Sequence, residues 1–366
     1  MEPLEPNGLI QLLPSLLLRW YDRNARVLPW RSQPTPYRVW VSEIMLQQTR
    51  VEAVLPYFER FITALPDMAA LARATDEQLM KLWQGLGYYS RARNLQKAAR
   101  VVAERHGGAL PASWAELRAL PGIGDYTAGA IASIAFCMPE PAVDGNVLRV
   151  LSRVLASADD IALPEVKRRF TGLIREIIPN DRPGDFNQAL MDLGATICLP
   201  NGMPLCESCP LADVCRANDL GLADTLPVKA SKKPRAIQEK TVFVIRCCGD
   251  ILLALRPPKG LLAGLWEMPN AEGWLEDAAA EALLRSWGAE PLSLSPLPDA
   301  KHVFTHMEWR MRGYLVEAER FAPPWQHAWA DEAALRSQYA VPSAFRAYLD
   351  VSSQYRGDRS IWRRRK

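Results

Sequence analysis

Features that would place the chain in a membrane or outside the cell are missing from its 366 residues. It contains no run of about 18 or more apolar residues, so no membrane-spanning helix is expected. Residues 1–23 carry acids and prolines in place of the basic segment that opens a secretory signal. An internal repeat with a period of about 20 to 50 residues is also missing, which argues against a solenoid. We therefore expect a cytoplasmic protein with no membrane partner.

An excess of one charge is missing as well. Lys and Arg number 44 and Asp and Glu 41, which leaves a formal net charge of +3. A nucleic-acid-binding protein of this composition has to gather its positive charge on one face. Apolar residues make up 49% of the chain and charged residues 23%, a balance typical of folded globular proteins. The length suits two domains.

Cysteine is scarce and unevenly placed, because four of the seven residues lie between positions 198 and 215. In a chain without a signal, such a cluster indicates a metal site and not a disulfide framework. Four thiolates suit either zinc or an iron–sulfur cluster, and the spacing C-x7-C-x2-C-x5-C does not choose between them. Since four thiolates leave no open coordination position, we expect a structural role for Cys198, Cys206, Cys209 and Cys215. Cys137, Cys247 and Cys248 are expected to be ordinary small apolar residues.

The pattern of apolar residues changes near Cys215. Residues 9–220 show apolar residues at helical spacing, with a helix start at Thr75. Residues 222–240 lack such a period and hold a basic run, which indicates a linker. Residues 241–350 contain alternating segments around a Gly249-Asp250 turn and predict an α+β domain. The tail, 351–366, ends in IWRRRK and is either solvated or in contact with phosphate.

Three features in the helical part carry chemical meaning. In residues 116–136 two helices flank Pro121-Gly122-Ile123-Gly124, and amides at Gly122 and Gly124 could face a phosphate, unless the turn is a plain corner. Glu43 lies among apolar residues, either on a helix surface or in a dry pocket that raises its pKa. Asp144 precedes a helix and is a candidate N-cap.

In combination these segments resemble the MutY-type A/G-specific adenine DNA glycosylases of the helix–hairpin–helix superfamily. The motifs occur in the order of that family: LPWR (28–31), VSEIMLQQTRV (41–51), GLGYYSRARNL (85–95), LPGIGDYTAGAI (120–131), VDGNV (143–147), FNQALMDLGATIC (186–198) and the cysteine cluster. The resemblance implies a mainly α glycosylase domain over 1–221, with a six-helix barrel module at about 30–137 and an iron–sulfur module formed by 9–29 and 138–221. It further implies a Nudix-like α+β domain that recognises 8-oxoguanine.

The resemblance also assigns roles to residues. A protonated Glu43 would give a proton to adenine and then activate water, while Asp144 would stabilise the sugar cation or bond to it. Tyr126 and Asn146 would assist in the same pocket. The adenine pocket would be lined by Leu28, Trp30, Arg31, Leu46, Val51 and Gln188, although Trp30 could equally serve core packing. Residues that probe the lesion and fill the gap left by the extruded base would be Gln48, Thr49, Leu86, Tyr88, Phe304, Thr305 and His306; His306 could instead be an ordinary strand histidine.

The implied cofactors are a 4Fe-4S cluster on the four cysteines and a monovalent cation at the hairpin. The implied partner is double-stranded DNA with an adenine opposite 8-oxoguanine or guanine. We expect a monomer associated with the nucleoid.

Some positions depart from related patterns. In the endonuclease III branch a lysine that cleaves the strand stands where this chain has Tyr126, and no lysine occurs between Lys97 and Lys167. The resemblance therefore implies a monofunctional enzyme. Residues 280–288 lack the paired glutamates of working Nudix hydrolases, which favours lesion reading over nucleotide hydrolysis. Thr305 replaces the usual serine, and the first cysteine gap is seven residues where six is usual.

Two other functions compete with this hypothesis. A bifunctional glycosylase/lyase for oxidised pyrimidines is disfavoured by Tyr126 and by the second domain. A non-catalytic DNA-binding or structural metal protein would tolerate changes at Glu43 and Asp144.

Overall fold

The computed structural model describes residues 6–230 and 234–354. Residues 355–366 of the predicted basic tail and residues 231–233 of the predicted linker lie outside the described part. The described residues form two compact units, one within 1–74 and 93–232 and the other within 75–92 and 233–366. No helix in the described ranges is long and apolar enough to cross a bilayer.

The first unit is helical. Its elements are α1 (Pro6–Ile10), α2 (Leu13–Asn24), α3 (Pro29–Ser32), α4 (Pro36–Leu46), α5 (Val51–Ala64), α6 (Met68–Arg73), most of α8 (Ser90–Arg105), α9 (Trp114–Ala119), α10 (Asp125–Phe136), α11 (Gly145–Val154), α12 (Pro164–Ile177), α13 (Pro183–Thr196) and α14 (Arg216–Asp219); α7 (Asp76–Trp83) belongs to the second unit. Short 3-10 turns occur at Cys206–Ser208 and Ala212–Val214.

Polar side chains set the starts of several helices. Thr35, Asp67 and Ser113 each accept a hydrogen bond from the backbone N–H three residues later. Thr75 does the same for Gln78, which confirms the predicted start of α7. Each cap pairs a donor that the first helical turn leaves open.

Helix α10 lies at the centre of the first unit and is buried from Thr127 to Ser133. A Cβ atom at Gly129 would lie 2.0 Å from the backbone oxygen of Pro141, so only glycine permits this close approach. Helix α10 packs against α4, α9 and α13. Its first residues therefore lie beside α4, which carries Glu43.

A hydrophobic core in the same unit joins α2, α11, α12 and α13. Its fully buried side chains include Leu17, Leu151, Phe170 and Phe186. Cys198 and Leu211 belong to the same core. This cluster fixes the segment that follows α13 and carries the four cysteines.

The second unit is built on one mixed sheet. Its strands are β1 (Ala236–Cys247), β2 (Asp250–Leu255), β3 (Trp266–Glu267), β4 (Asn270–Glu272), β5 (Pro291–Val303), β6 (Met307–Ala318) and β7 (His327–Ala330), and its further helices are α15 (Asp277–Ser286), α16 (Glu332–Ser337) and α17 (Arg346–Gln354). The order is β3-β2-β1-β6-β5, with β4 paired to β1 and β7 to β2. Strands β1 and β6 are parallel, and the other pairs are antiparallel.

Apolar cores cover both faces of this sheet. One contains Trp309 and Phe345, and the other contains Phe243 and Tyr314. The α+β fold predicted for the C-terminal part is confirmed.

Residues 75–92 were assigned by the sequence to the helical domain, whereas the structure groups them with the C-terminal unit. The reason is a set of side-chain to backbone hydrogen bonds. Lys81 Nζ donates to the carbonyls of Leu335 and Tyr339, and Gln84 Nε2 donates to the carbonyl of Val341. Spacing along the chain carries no signal for such long-range contacts.

Candidate active site

A cleft of about 770 Å³ opens in the helical unit. This volume falls within the range of about 300 to 1,000 Å³ typical of small-ligand sites. The cleft is lined by all four residues predicted to be catalytic, all six predicted for the adenine pocket and two of those predicted to probe the lesion: Glu43, Asp144, Tyr126, Asn146, Leu28, Trp30, Arg31, Leu46, Val51, Gln188, Gln48 and Thr49. The structure thus brings together residues up to 160 positions apart in the sequence.

Glu43 lies on α4 and is 5% exposed, so the dry-pocket alternative describes it and the surface alternative does not. The hydroxyl of Tyr126, at the start of α10, donates to Glu43 Oε2 over 2.7 Å. Burial raises the pKa of Glu43 to about 7, and the charge of Asp144 adds to the rise, while Tyr126 and Arg31 oppose it. The carboxyl group can therefore release or accept a proton near neutral pH.

Tyr126 keeps its proton over the same range. Burial, followed by the charges of Glu43 and Asp144, raises its pKa well above the usual value. Its hydroxyl is consequently a donor to Glu43 and not a base.

Asp144 caps α11, as the sequence predicts. One carboxylate oxygen accepts from the backbone N–H groups of Asn146 and Val147, and the other accepts from Asn146 Nδ2, all within 2.9 Å. Burial raises the pKa of Asp144, and these three donors act against the rise by favouring the charged form. The two carboxyl groups of the cleft thus have different environments.

Asp192 is a residue of the site that the sequence analysis missed. Its carboxylate is fully buried and binds Arg26 at 2.6 Å and Arg31 at 2.7 Å. Burial alone would raise its pKa, but the two guanidinium groups hold the pKa below its ordinary value. Both arginines line the cleft, so a buried anion fixes their place in its wall. A signal was available, because Asp192 follows the buried residues Phe186 and Ala189 at helical spacing.

Arg149 links the cleft to the cysteine segment. Its guanidinium donates to the carbonyl of Cys198 at 2.8 Å, to that of Gly194 at 2.6 Å and to Asn146 Oδ1 at 3.0 Å. Asn146 in turn donates to Asp144. A continuous run of hydrogen bonds therefore joins Asp144 to the backbone of Cys198.

The four predicted metal ligands, Cys198, Cys206, Cys209 and Cys215, surround one cavity of about 20 Å³. Arg153 donates to the sulfur of Cys198 at 3.1 Å, and backbone N–H groups donate to the sulfurs of Cys209 and Cys215. Such donors are typical of sites that hold charged sulfur. In residues 6–230 and 234–354 no group of three or more His, Cys, Asp or Glu side chains is arranged to hold a metal ion as it stands. The donor set fits a four-thiolate centre.

The predicted phosphate-binding hairpin forms a tight turn before α10. Gly122 has a φ of +78°, and a Cβ there would lie 2.6 Å from Asn94 Cβ. Gly124 is the N-cap of α10, and a Cβ there would meet nothing within 4 Å. The fold itself therefore requires glycine at position 122. At position 124 a side chain would meet no neighbouring atom, so glycine there leaves open space at the start of the helix.

The other residues predicted to probe the lesion lie in the second unit: Leu86, Tyr88, Phe304, Thr305 and His306. Tyr88 is 43% exposed with a φ of +50°, and its hydroxyl lies 2.5 Å from Thr305 Oγ1. Thr305 and His306 are exposed in the turn between β5 and β6, so the strand alternative for His306 is wrong. Phe304 packs edge-on against Trp309, with ring centroids 4.9 Å apart.

Comparison with known proteins identifies the family to which the chain belongs. Residues 41–176 match the HhH-GPD superfamily of base excision DNA repair proteins, and residues 241–351 match the NUDIX domain. The mouse adenine DNA glycosylase is 37% identical, with 92% of this chain and 78% of the mouse protein aligned. The human adenine DNA glycosylase is 38% identical over 84% of this chain and 67% of that protein. The chain belongs to the adenine DNA glycosylases.

Solved structures share the fold of the helical unit. A thermostable thymine-DNA glycosylase is 27% identical with a TM-score of 0.53, covering 58% of this chain and 98% of that one. A non-covalent endonuclease III–DNA complex shares the fold at 23% identity and a TM-score of 0.51, covering 60% of this chain and 99% of that one. As an adenine DNA glycosylase, the chain is a base excision repair enzyme that binds DNA and hydrolyses an N-glycosidic bond.

Proposed function

We propose that the enzyme removes adenine paired with 8-oxoguanine or guanine from double-stranded DNA and leaves an abasic site. The observation that carries this proposal is the cleft itself, in which a buried Glu43 with a pKa near 7 and a hydrogen-bonded Asp144 share one wall. An adenine inside a duplex cannot reach such a site, so the nucleotide has to leave the base stack.

The chemistry follows from the two environments. Adenine is a poor leaving group until it is protonated, and Glu43 holds a transferable proton at neutral pH. After the bond breaks, the Glu43 carboxylate can accept a proton from the attacking water. Asp144, stabilised as an anion by three donors, faces the positive charge that develops on the sugar.

The wall of the cleft suits an uncharged aromatic base. Trp30 and Leu28 supply apolar surface, and Gln188 offers both a donor and an acceptor for the edge of adenine. Trp30 is 5% exposed and also packs edge-on against Phe58, so it serves the core as well as the cleft.

The cysteine centre supports a structural role. A 4Fe-4S cluster would be held by Cys198, Cys206, Cys209 and Cys215. With all four thiolates bound, the cluster would hold this segment together and leave no open coordination position. Brown protein with acid-labile sulfide supports the cluster, and a colourless zinc-loaded protein contradicts it.

The hairpin would bind a DNA phosphate through backbone amides at the start of α10, with a monovalent cation completing the site. The open space beside Gly124 lets a phosphate approach the backbone closely. We also propose that the chain acts as a monomer and associates with the nucleoid.

The test is a base-release assay on duplexes that differ only in the base opposite adenine. Release should be fastest opposite 8-oxoguanine, slower opposite guanine and very slow opposite thymine. The variants Glu43→Gln and Asp144→Asn should lose about 10³-fold or more of the rate while binding the duplex. If both variants keep the wild-type rate, the proposed roles of Glu43 and Asp144 are wrong.

Strand cleavage separates this proposal from a bifunctional lyase. The cleft is lined by arginines and not by lysines, and Tyr126 donates to Glu43 and is not a free amine. Borohydride should therefore trap little covalent adduct on adenine mispairs or on oxidised-pyrimidine duplexes. Efficient trapping on the latter would support the bifunctional alternative.

A further inference from the structure

The turn between β1 and β2 carries two consecutive cysteines outside the cleft and the four-cysteine cavity. Cys247 ends β1 and pairs with Asp250, so Cys248 and Gly249 form a two-residue turn, one residue earlier than the predicted Gly249-Asp250 turn. Their φ angles are +54° and +96°. Turns of this kind favour Asn-Gly or Asp-Gly, and a cysteine is uncommon in the left-handed region. The turn thus keeps a thiol at a position where the backbone favours another residue.

The two thiols lie close together but in different surroundings. Cys247 is 5% exposed, whereas Cys248 is exposed, and the two sulfurs are 3.7 Å apart. The backbone N–H of Arg320 donates to the sulfur of Cys247, and its guanidinium pairs with the carboxylate of Asp250. One sulfur is therefore held in place, and the other faces solvent beside it. The expectation that Cys137, Cys247 and Cys248 are ordinary small apolar residues is wrong for Cys137 and Cys248, which are exposed.

The sulfur separation matches a chelate. Two thiolates bound to one atom at about 2.3 Å lie about 3.3 to 3.8 Å apart for bond angles of about 90 to 110°. A direct disulfide is less suitable, because adjacent Cα atoms are about 3.8 Å apart and disulfides usually need about 4.4 to 6.8 Å. A single soft atom bridging the two sulfurs fits this turn better than a bond between them.

We propose that Cys247 and Cys248 form a bidentate site for a thiophilic centre, of which an organic trivalent arsenical is the simplest case. An arsenical oxide R–As=O reacts with the two thiols to give a cyclic R–As(S)₂ adduct and one water. Two As–S bonds form, the As=O bond and two S–H bonds break, and the protons leave in the water. The reaction has no redox step and needs no further reactant.

The experiment uses the full-length holoprotein, reduced and freed of small thiols, and phenylarsine oxide as the probe. Native mass spectrometry should show one arsenical per chain, with two thiols lost to a thiol reagent. A small dithiol should release the adduct, whereas a monothiol at the same thiol concentration should not. Cys247→Ser and Cys248→Ser should each weaken binding by at least about 100-fold, because the second bond gains from effective concentration.

Cys137→Ser is the matched control, because Cys137 is also exposed and has a left-handed φ of +53° but no adjacent cysteine. Its arsenical binding should equal that of the wild type. The proposal is overturned if either serine variant at 247 or 248 binds as tightly as the wild type, since the four-cysteine site would then be the target. Release by a monothiol would overturn it as well. Adenine release by every variant checks that the fold is kept.

Discussion

The hydrogen bond from Tyr126 to Glu43 gives a quantitative test of the catalytic proposal. Replacing Tyr126 by Phe removes a hydroxyl that donates to the carboxylate over 2.7 Å and leaves the ring in place. This donor stabilises the charged form of Glu43 and so lowers the pKa of a group that burial has raised to about 7. Without the hydroxyl, the carboxyl group should hold its proton to higher pH.

The size of the shift follows from the strength of the bond. A hydrogen bond to a charged group is worth about 1.5 to 3 kcal/mol, and one pKa unit corresponds to about 1.4 kcal/mol. The pKa of Glu43 in the Tyr126→Phe variant should therefore rise by about one to two units. Since the acid has to be protonated to act, the alkaline limb of the rate profile should move upward by the same amount.

The assay is single-turnover adenine release on an 8-oxoguanine duplex between about pH 5.5 and 9.5. The wild-type rate should fall above about pH 7 and approach a tenfold loss per pH unit. Tyr37→Phe is the control, because the Tyr37 hydroxyl is also buried and donates over 2.7 Å, but to the carbonyl of Leu65 outside the cleft. Its profile should match the wild type. An alkaline limb that stays in place or moves downward in Tyr126→Phe would refute the assignment of Glu43 as the acid.

Three further changes test the site through stability and binding. Glu43→Gln should stabilise the protein by about 3 kcal/mol above pH 7 and much less near pH 4.5, because the buried charge of Glu43 costs stability as the pH rises from 4.5 through about 7. Urea unfolding followed by helical circular dichroism measures the free energy of unfolding. A variant that is destabilised at alkaline pH would contradict the prediction. Asp192→Asn should lower the free energy of unfolding by about 3 kcal/mol in the same assay, because Arg26 and Arg31 lose a fully buried partner. The control Asp22→Asn, which removes an exposed ion pair, should change the free energy of unfolding little. Gly124→Ala should keep the melting temperature and weaken duplex binding, with a flatter salt dependence of the binding constant. Gly122→Ala should lower the melting temperature, because its φ is strained for alanine and its Cβ would contact the side chain of Asn94. Equal losses of melting temperature in the two variants would argue against a phosphate site.

The sequence reached much of the cleft because its residues lie in ordered motifs. Glu43 stood out as an acid among apolar neighbours, and the structure places it in a buried position. Asp144 stood out as an N-cap, and the structure gives it that geometry. Local chemistry of this kind can be inferred from neighbouring residues, and the resemblance supplied the rest of the lining.

Long-range ion pairs and the grouping of distant segments into one unit were beyond sequence reasoning. Asp192 lies 161 residues from Arg31, and no spacing rule joins a helix near position 190 to a short helix near 30. The grouping of residues 75–92 with the C-terminal unit depends on carbonyls more than 250 residues away. Both features come from tertiary packing, which a pattern of apolar residues does not specify.

The fold itself separates the properties of the two carboxyl groups. Asp144 lies at a helix N-terminus, where two backbone N–H groups and the helix dipole stabilise the anion and oppose the rise in pKa that burial causes. Glu43 lies within α4, where the helix pairs its own N–H groups and burial favours the neutral acid. Exchanging the two residue types would therefore not exchange their roles, because burial and the hydrogen-bond donors at each position, and not the residue type, shift the pKa. An Asp at 43 should still have a raised pKa, and a Glu at 144 should still be favoured as an anion if its longer side chain reaches the same donors.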